Sequence, residues 1–276
     1  MRARRAVAAA KINLALVVGA RRDDGLHEVA TVLQRIDICD RIELDTAERL
    51  AVEGFQDDTI VGHALLGLAA EAGTEPFWRV RISKEIPVSA GLGGGSADAA
   101  TALRLANETL PEPLPPERLH ALAASLGADV PFFLEPGPKL AEGTGGRLKP
   151  LELPQDFWVV LALPRELEKG STGEVYARFD ALGGGPGFGE RKDALLQALA
   201  RILRPRDLEA LPANDLAEAS GASSLAAGLR DAGAFRADVS GAGPAVYGLF
   251  ETRRDAGTAA RRLGRRHRVW VAAPVW

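Results

Sequence analysis

Three groups of residues in this chain have the types and spacing for chemistry on a phosphate. The densest lies in Pro87–Ala97, where Gly91, Gly93, Gly94 and Gly95 are followed by a run of good helix formers. Glycine so concentrated costs conformational entropy unless backbone must come close to something. Upstream, Val80 and Ile82 alternate with Arg79, Arg81 and Ser83, which predicts a half-buried strand ending near Glu85. Downstream, Ser96 is placed to cap a helix running to about Leu110. A strand, a glycine loop and a helix N-terminus together aim unpaired N–H groups and the positive end of a dipole at one point, so the expected guest is a nucleotide phosphate. The bland alternative is a flexible connection. No Lys-Ser/Thr follows the last glycine, and three consecutive glycines do not fit Gly-x-Gly-x-x-Gly, so neither of two common nucleotide loops is present.

The second group is Lys11 with Asn13. Ile12, Leu14, Leu16 and Val18 share one face of a predicted first strand, and Lys11, Asn13, Ala15 and Val17 share the other. Lys11 and Asn13 therefore project side by side, either from a wetted outer face or toward a ligand. An Asp-Gly turn then leads into a loop holding His27 and into paired strands around Val29–Ile38 and Arg41–Leu44. The third group is Asp129, a carboxylate at the edge of the apolar stretch Val130-Pro131-Phe132-Phe133, where it also reads as the cap of a turn before proline.

The elements that must position these groups follow from periodicity. A helix is expected from about Thr59 to Ala72, capped by Asp58 and ended by Gly73, with Ile60, Ala64, Leu65 and Leu68 inward. The proline-rich Pro111–Pro116 is a stiff connector to a helix over Glu117–Leu126, which Gly127 stops. Short strands are expected within Lys139–Pro154, and a continuous apolar strand begins at Phe157. The domain boundary is placed near Leu151, giving domains 1–150 and 151–276. Ser171 begins a capped helix, and Gly183–Gly189 reads as a flexible loop or hinge. Helices are expected at Arg191–Leu203, Leu208–Leu216 and Ser223–Asp231. The chain closes with strand Phe235–Val239, the loop Ser240–Pro244, strand Ala245–Phe250, helix Arg254–Arg265 and strand Arg268–Ala272. Such alternation predicts an α+β class.

Composition narrows the function. The 276 residues are 46% hydrophobic, enough for two cores, and no apolar run approaches the roughly 18 residues of a membrane helix. The basic then apolar N-terminus resembles a secretory signal, but Lys11 and Asn13 interrupt it, so it is read as a strand. A single cysteine, Cys39, forms no internal disulfide, and no Cys/His cluster has metal-ligand spacing, which points to the cytoplasm and to no protein-held metal. A net charge of −3 offers no field for nucleic acid or anionic membrane, and the arginines of Arg261–His267 read as a solvated helix face.

The string Pro87 to Ala97 resembles the Pro-x-x-x-Gly-Leu-Gly-Gly-Gly-Ser-Ser signature of the GHMP small-molecule kinases, with Ala97 in place of the second serine. AAAKINLALVV, GLHEV, IPVSAGLGGGSADAA, GADVPFF, AEGTGGRLKPL and SGAGPAVYGLF, in that order, resemble the branch of that family acting on 4-diphosphocytidyl-2-C-methyl-D-erythritol. The resemblance spans Ala8 to Phe250. It implies an N-terminal domain of the ribosomal protein S5 domain 2-like type, a C-terminal ferredoxin-like domain and an active site in the cleft between them. It also implies ATP-dependent phosphorylation of the substrate's 2-hydroxyl in the non-mevalonate isoprenoid pathway, with Mg²⁺ bound through the nucleotide.

By resemblance, Lys11 and Asp129 are the catalytic pair. Pro87, Val88, Ser89, Ala90, Gly91, Leu92, Gly93, Gly94, Gly95, Ser96 and Ala97 form the ATP-phosphate loop. Asn13, Leu26, His27, Thr172, Tyr176, Ser240, Gly241 and Gly243 fall on the substrate side. Leu26 stands where many members carry an aromatic residue against the cytosine, and Tyr176, one turn beyond the Ser171 cap, is the expected replacement ring. The expected partner is the small-molecule substrate alone, without nucleic acid or membrane, for a monomer or weak homodimer. Rival readings are a homoserine- or mevalonate-type kinase and a non-catalytic nucleotide-binding regulator.

Overall fold

A computed structural model describes residues 3–55, 59–165 and 171–276. From the N-terminus the chain forms β1 (Arg4–Arg21), β2 (His27–Thr46), β3 (Ala51–Glu53), α1 (Thr59–Ala72), β4 (Trp78–Ser83), α2 (Gly94–Asn107), α3 (Pro116–Leu126), a 3-10 turn (Pro131–Leu134), β5 (Lys139–Gly143) and β6 (Arg147–Pro150). Then come β7 (Trp158–Pro164), α4 (Thr172–Ala181), α5 (Phe188–Leu199), a 3-10 stretch (Pro205–Ala210), α6 (Ala217–Ser220) and α7 (Ser223–Asp231). The chain ends with β8 (Arg236–Val239), β9 (Val246–Phe250), α8 (Arg253–Leu263), β10 (His267–Ala272) and β11 (Pro274–Val275). It divides into two compact units, one of Met1–Ala10, Ile38–Val88 and Gly93–Pro136, the other of Lys11–Asp37, Ser89–Leu92 and Gly137–Trp276.

In the first unit β4 behaves as its alternation predicts, with Val80 and Ile82 buried and Arg79, Arg81 and Ser83 exposed. It pairs antiparallel with the second half of β2, Ile42 opposite Ile82 and Leu44 opposite Val80, and parallel with β3. Helices α1, α2 and α3 cover this ladder. The alanines 99, 100, 102 and 106 of α2 bring it close to α1, and Leu65, Leu68, Leu103 and Trp78 fill the interior. Trp78 is fully buried and satisfies its indole N–H by donating to Thr109 Oγ1 at 2.8 Å. Asn107 ends α2: its side chain accepts from the Leu114 N–H at 2.8 Å and donates to the Leu114 carbonyl at 3.1 Å, which turns the chain into the proline-rich connector.

In the second unit the first half of β2 pairs antiparallel with β5, and β5 with β6. A separate antiparallel sheet has the order β10-β7-β9-β8, the 4-1-3-2 arrangement of a ferredoxin-like fold, with α7 and α8 packed on it through Leu225, Leu229, Ala256 and Ala259.

Several expectations are corrected. Val29–Ile38 and Arg41–Leu44 belong to one long strand, β2, because the polar break at Asp40 is a buried carboxylate accepting the Glu85 and Ile86 N–H groups, not a turn. His27 opens that strand and is not in a loop. In place of the expected Leu208–Leu216 helix lie the end of a short 3-10 stretch, a link and a turn, with α6 following from Ala217; Pro212 lacks an N–H and holds Leu211 extended. The helix expected over Arg191–Leu203 is α5, shifted to Phe188–Leu199. β3 and β11 were not anticipated, and Asp58 lies outside the described residues.

Candidate active site

The phosphate-loop motif has parts in both units. In the first, α2 begins at Gly94, two residues before the expected start, with Gly93 in the left-handed region at φ 69° as N-cap. Ser96 is thus the third residue of the helix and makes no side-chain cap. The Ala97 N–H is the first to close a helical bond, to the Gly93 carbonyl at 2.8 Å. The N–H groups of Gly94, Gly95 and Ser96, in the first turn of α2, precede that bond and have no acceptor within the helix. The Ala97 methyl is in the hydrophobic core and adds nothing to that turn.

Behind the helix start lies a buried ionic cluster. Lys84 Nζ sits 2.6 Å from Asp40 Oδ2 and 2.7 Å from Asp98 Oδ2, and both carboxylates are fully buried. Burial pulls the Lys84 pKa down, but hydrogen bonds and charge from Asp40 and Asp98 outweigh it and raise the pKa. A Cβ on Gly94 would lie 3.1 Å from Ile86 Cγ2 and 3.3 Å from Lys84 Nζ, so glycine there also serves the packing of α2 against this cluster. Asp129 is half-buried in the turn after α3. Val130, Phe133 and Leu134 beyond it pack into the same core as α2, which anchors that carboxylate to the unit carrying α2.

In the second unit Lys11 and Asn13 project from β1 side by side, as alternation predicts, but neither is wetted: each is only 4% exposed. Lys11 Nζ donates to Asn13 Oδ1 at 2.6 Å, Asn13 Nδ2 donates to Thr31 Oγ1 at 2.8 Å, and Thr31 Oγ1 donates to the Ala15 carbonyl at 2.7 Å. This chain leaves the Asn13 amide one orientation, with its oxygen toward the ammonium. Ser89, at φ 60°, is a non-glycine residue in the left-handed region, and Gly91 lies at φ 81°. A Cβ on Gly91 would come within 2.2 Å of the Ser240 carbonyl oxygen, while Ser240 Oγ donates to the Gly91 carbonyl at 3.0 Å. The close approach of the second glycine loop thus by itself demands glycine at 91.

His27 Nε2 lies 2.8 Å from Asp180 Oδ1 on α4, and the His27 ring stacks at 4.8 Å on Tyr176, one turn earlier. Helix α4 starts as predicted, with a capping box in which Ser171 Oγ accepts from the Glu174 N–H and Glu174 accepts from the Ser171 N–H. Its Val175 and Phe179 pack against Leu16 and Val18 of β1. Leu26 and Thr172 are exposed, Gly241 abuts Lys11 and Asn13, and Gly243 faces Val239 and Ser220. Sequence reasoning missed Thr31, Asp40, Lys84, Asp98 and Asp180. Only Asp98 carried a signal, a carboxylate just after the glycine run.

The α+β fold and the glycine-headed α2 define the class as a GHMP kinase. The model of the GHMP kinases N terminal domain matches residues 59–137, and that of the GHMP kinases C terminal matches residues 208–268. The chain is 38% identical to a 4-diphosphocytidyl-2-C-methyl-D-erythritol kinase of Geobacter sp. (strain M21), over 98% of this chain and 97% of that protein. A crystal structure of 4-(cytidine 5'-diphospho)-2C-methyl-D-erythritol kinase superimposes with a TM-score of 0.82 at 32% identity, covering 99% of this chain and 100% of the other. The Methanococcus jannaschii mevalonate kinase, at 12% identity and TM-score 0.75 over 100% and 99% of the two chains, shares the fold alone. The chain belongs to the 4-diphosphocytidyl-2-C-methyl-D-erythritol kinase family of ATP-dependent small-molecule kinases.

Proposed function

We propose that this protein transfers the γ-phosphoryl group of ATP to the 2-hydroxyl of 4-diphosphocytidyl-2-C-methyl-D-erythritol in the non-mevalonate isoprenoid pathway. The observation that carries this reading is near-full-length likeness, at 32–38% identity, to proteins bearing that name. The hydroxyl oxygen attacks the γ-phosphorus, the bond to the β,γ-bridging oxygen breaks, and ADP leaves. Asp129 takes the hydroxyl proton as general base. Lys11, held by Asn13, stabilises charge on the transferring oxygens. The N–H groups of Gly94, Gly95 and Ser96 receive the β- and γ-phosphates. Mg²⁺, bound through the nucleotide, would neutralise charge on the phosphates.

On the substrate side, a His27 that gives its Nε2 proton to Asp180 has Nδ1 as an acceptor for the cytosine amino group, and Tyr176 supplies the ring that Leu26 lacks. A division near Leu151 into two kinase domains belongs to the same reading and is supported by family models falling on either side of it. A cytoplasmic monomer or weak homodimer, without nucleic acid or membrane, suits a small-molecule kinase of net charge −3 whose described residues include no helix long and apolar enough to cross a membrane. The test is a coupled assay for ADP release with ATP and each candidate alcohol. Release with the diphosphocytidyl substrate alone is expected. Release with homoserine or mevalonate would make this another GHMP kinase, and no release with any acceptor would fit a nucleotide-binding regulator.

A further inference from the structure

The stretch Pro212-Ala213-Asn214-Asp215, which reads as helix in the sequence, is a non-helical link whose Asn214 and Asp215 make several hydrogen bonds within the second unit. Asn214 is 3% exposed. Its backbone N–H donates to Asp238 Oδ2 at 2.8 Å, Nδ2 donates to the carbonyls of Val239 at 2.9 Å and Gly241 at 2.7 Å, and Oδ1 accepts from the Leu216 N–H at 2.9 Å. The next residue grips the first strand. The Asp215 N–H donates to the Leu16 carbonyl at 2.9 Å, and its Oδ2 accepts from the Val18 N–H at 2.8 Å and from Arg191 Nε at 3.1 Å. Leu216 then enters the core beside Leu16 and Val18. Two consecutive residues thus hold β1 and the second glycine loop together.

That loop is the wall beside Lys11. A Cβ built on Gly241 would lie 3.3 Å from Lys11 Nζ, 3.4 Å from Asn13 Oδ1 and 3.4 Å from the Gly91 carbonyl oxygen. The Gly241 peptide therefore limits where the ammonium can sit, and Asn214 sets where that peptide lies. Only an amide suits the position: it must donate to two carbonyls and accept from one N–H, which neither a carboxylate nor a hydroxyl can do.

We propose that Asn214, with Asp215, is a positioning residue for phosphoryl transfer: it touches no reacting atom but fixes Lys11 by clasping the Gly241 loop to the first strand. This rests on the reading of Lys11 as catalytic. The test compares wild type, Lys11→Met, Asn214→Ala, the double variant and Leu229→Ala, a core truncation away from the loop that reports on stability alone. Turnover is measured per folded molecule, well below each variant's Tm. Asn214→Ala is expected to lower kcat by about tenfold or more with the KM for ATP within about twofold. In the Lys11→Met background it should lower kcat by less than about twofold, because its effect runs through Lys11. Leu229→Ala should keep kcat while lowering Tm. If Asn214→Ala does not fold, Asn214→Asp, equal in shape but without the two donated bonds, is read the same way. Normal kcat at 214 beside a disabled Lys11→Met would overturn this inference alone. Normal turnover by Lys11→Met would overturn the catalytic reading of Lys11 and this inference with it, and inactivity of the wild type would overturn the proposed function.

Discussion

At the scale of single residues, the working groups differ in how firmly they are held. Lys11 is fixed by a relay through Asn13 and Thr31 to a backbone carbonyl, so its ammonium is ordered before any ligand arrives. That is the economical arrangement for stabilising a charge that develops only in the transition state. Asp129 is half-buried, on a turn that its apolar neighbours anchor. Asp129→Asn keeps the size and loses the basicity. It is expected to fold and bind ATP normally while turnover falls on the order of 10²–10⁴, the usual contribution of a general base; steady-state kinetics beside an ATP titration checks this, and near-normal turnover would remove Asp129 from the mechanism. Tyr176 stacks on His27, so its ring either covers the base or props the histidine. Base stacking is worth roughly 1–3 kcal/mol. Tyr176→Ala should therefore raise the KM for the diphosphocytidyl substrate by about tenfold or more and leave the KM for ATP alone, and an unaltered substrate KM would assign the ring to packing.

At the scale of elements, the start of α2 depends on a cluster with two carboxylates and one lysine. Asp40 ties β2 to the end of β4 through two backbone N–H groups, Asp98 belongs to α2, and Lys84 joins them. Removing the cation leaves two buried negative charges, and breaking a buried ion pair in this way costs about 3–5 kcal/mol. Lys84→Met is thus expected to lower the unfolding free energy by about that amount in a denaturant titration. A loss under about 1 kcal/mol, the size of a surface pair, would show that the cluster does not hold α2 in place.

At the scale of the whole molecule, acidic and basic residues nearly cancel, 37 against 34, so response to acid is set by particular carboxylates rather than by overall charge. Glu142 on β5 is the clearest. Lys149 on β6 and Lys192 on α5 each bond it at 2.6 Å, and these hydrogen bonds pull its pKa from 4.5 to about 2. A carboxylate whose folded pKa is depressed contributes stability above its unfolded value and loses it as pH falls through the folded value. Glu142→Gln should therefore be less stable than wild type at pH 7, with the gap closing from about pH 4.5 and gone near pH 2. Thermal unfolding of the two proteins across that range gives the answer. A gap that persists below pH 2 would mean Glu142 acts by packing and not by charge.

Local chemistry written in one stretch of chain was legible in the sequence. Strict alternation placed Lys11 and Asn13 on one face of a strand, Ser171 announced the start of α4, and the end of the glycine run announced the start of α2. The limits of α7 and the succession of strands and helix that closes the chain followed from periodicity and turn residues in the same way. What only the tertiary structure decided depends on partners distant in sequence. The strand expected to stop at Ile38 and restart at Arg41 runs through Asp40 unbroken, because Glu85, Ile86 and Lys84, far away in sequence, meet that carboxylate. Asn214 and Asp215 fall in a stretch that reads as helix because their hydrogen bonds run to Gly241 and to β1, up to 199 residues away for the Leu16 carbonyl. The close approach of Gly91 to Ser240, 149 residues on, is likewise invisible in the glycine run itself. A sequence pattern reports the period of one element, whereas a buried polar group is satisfied by whichever chain the fold brings beside it, and that choice is made only when the core closes.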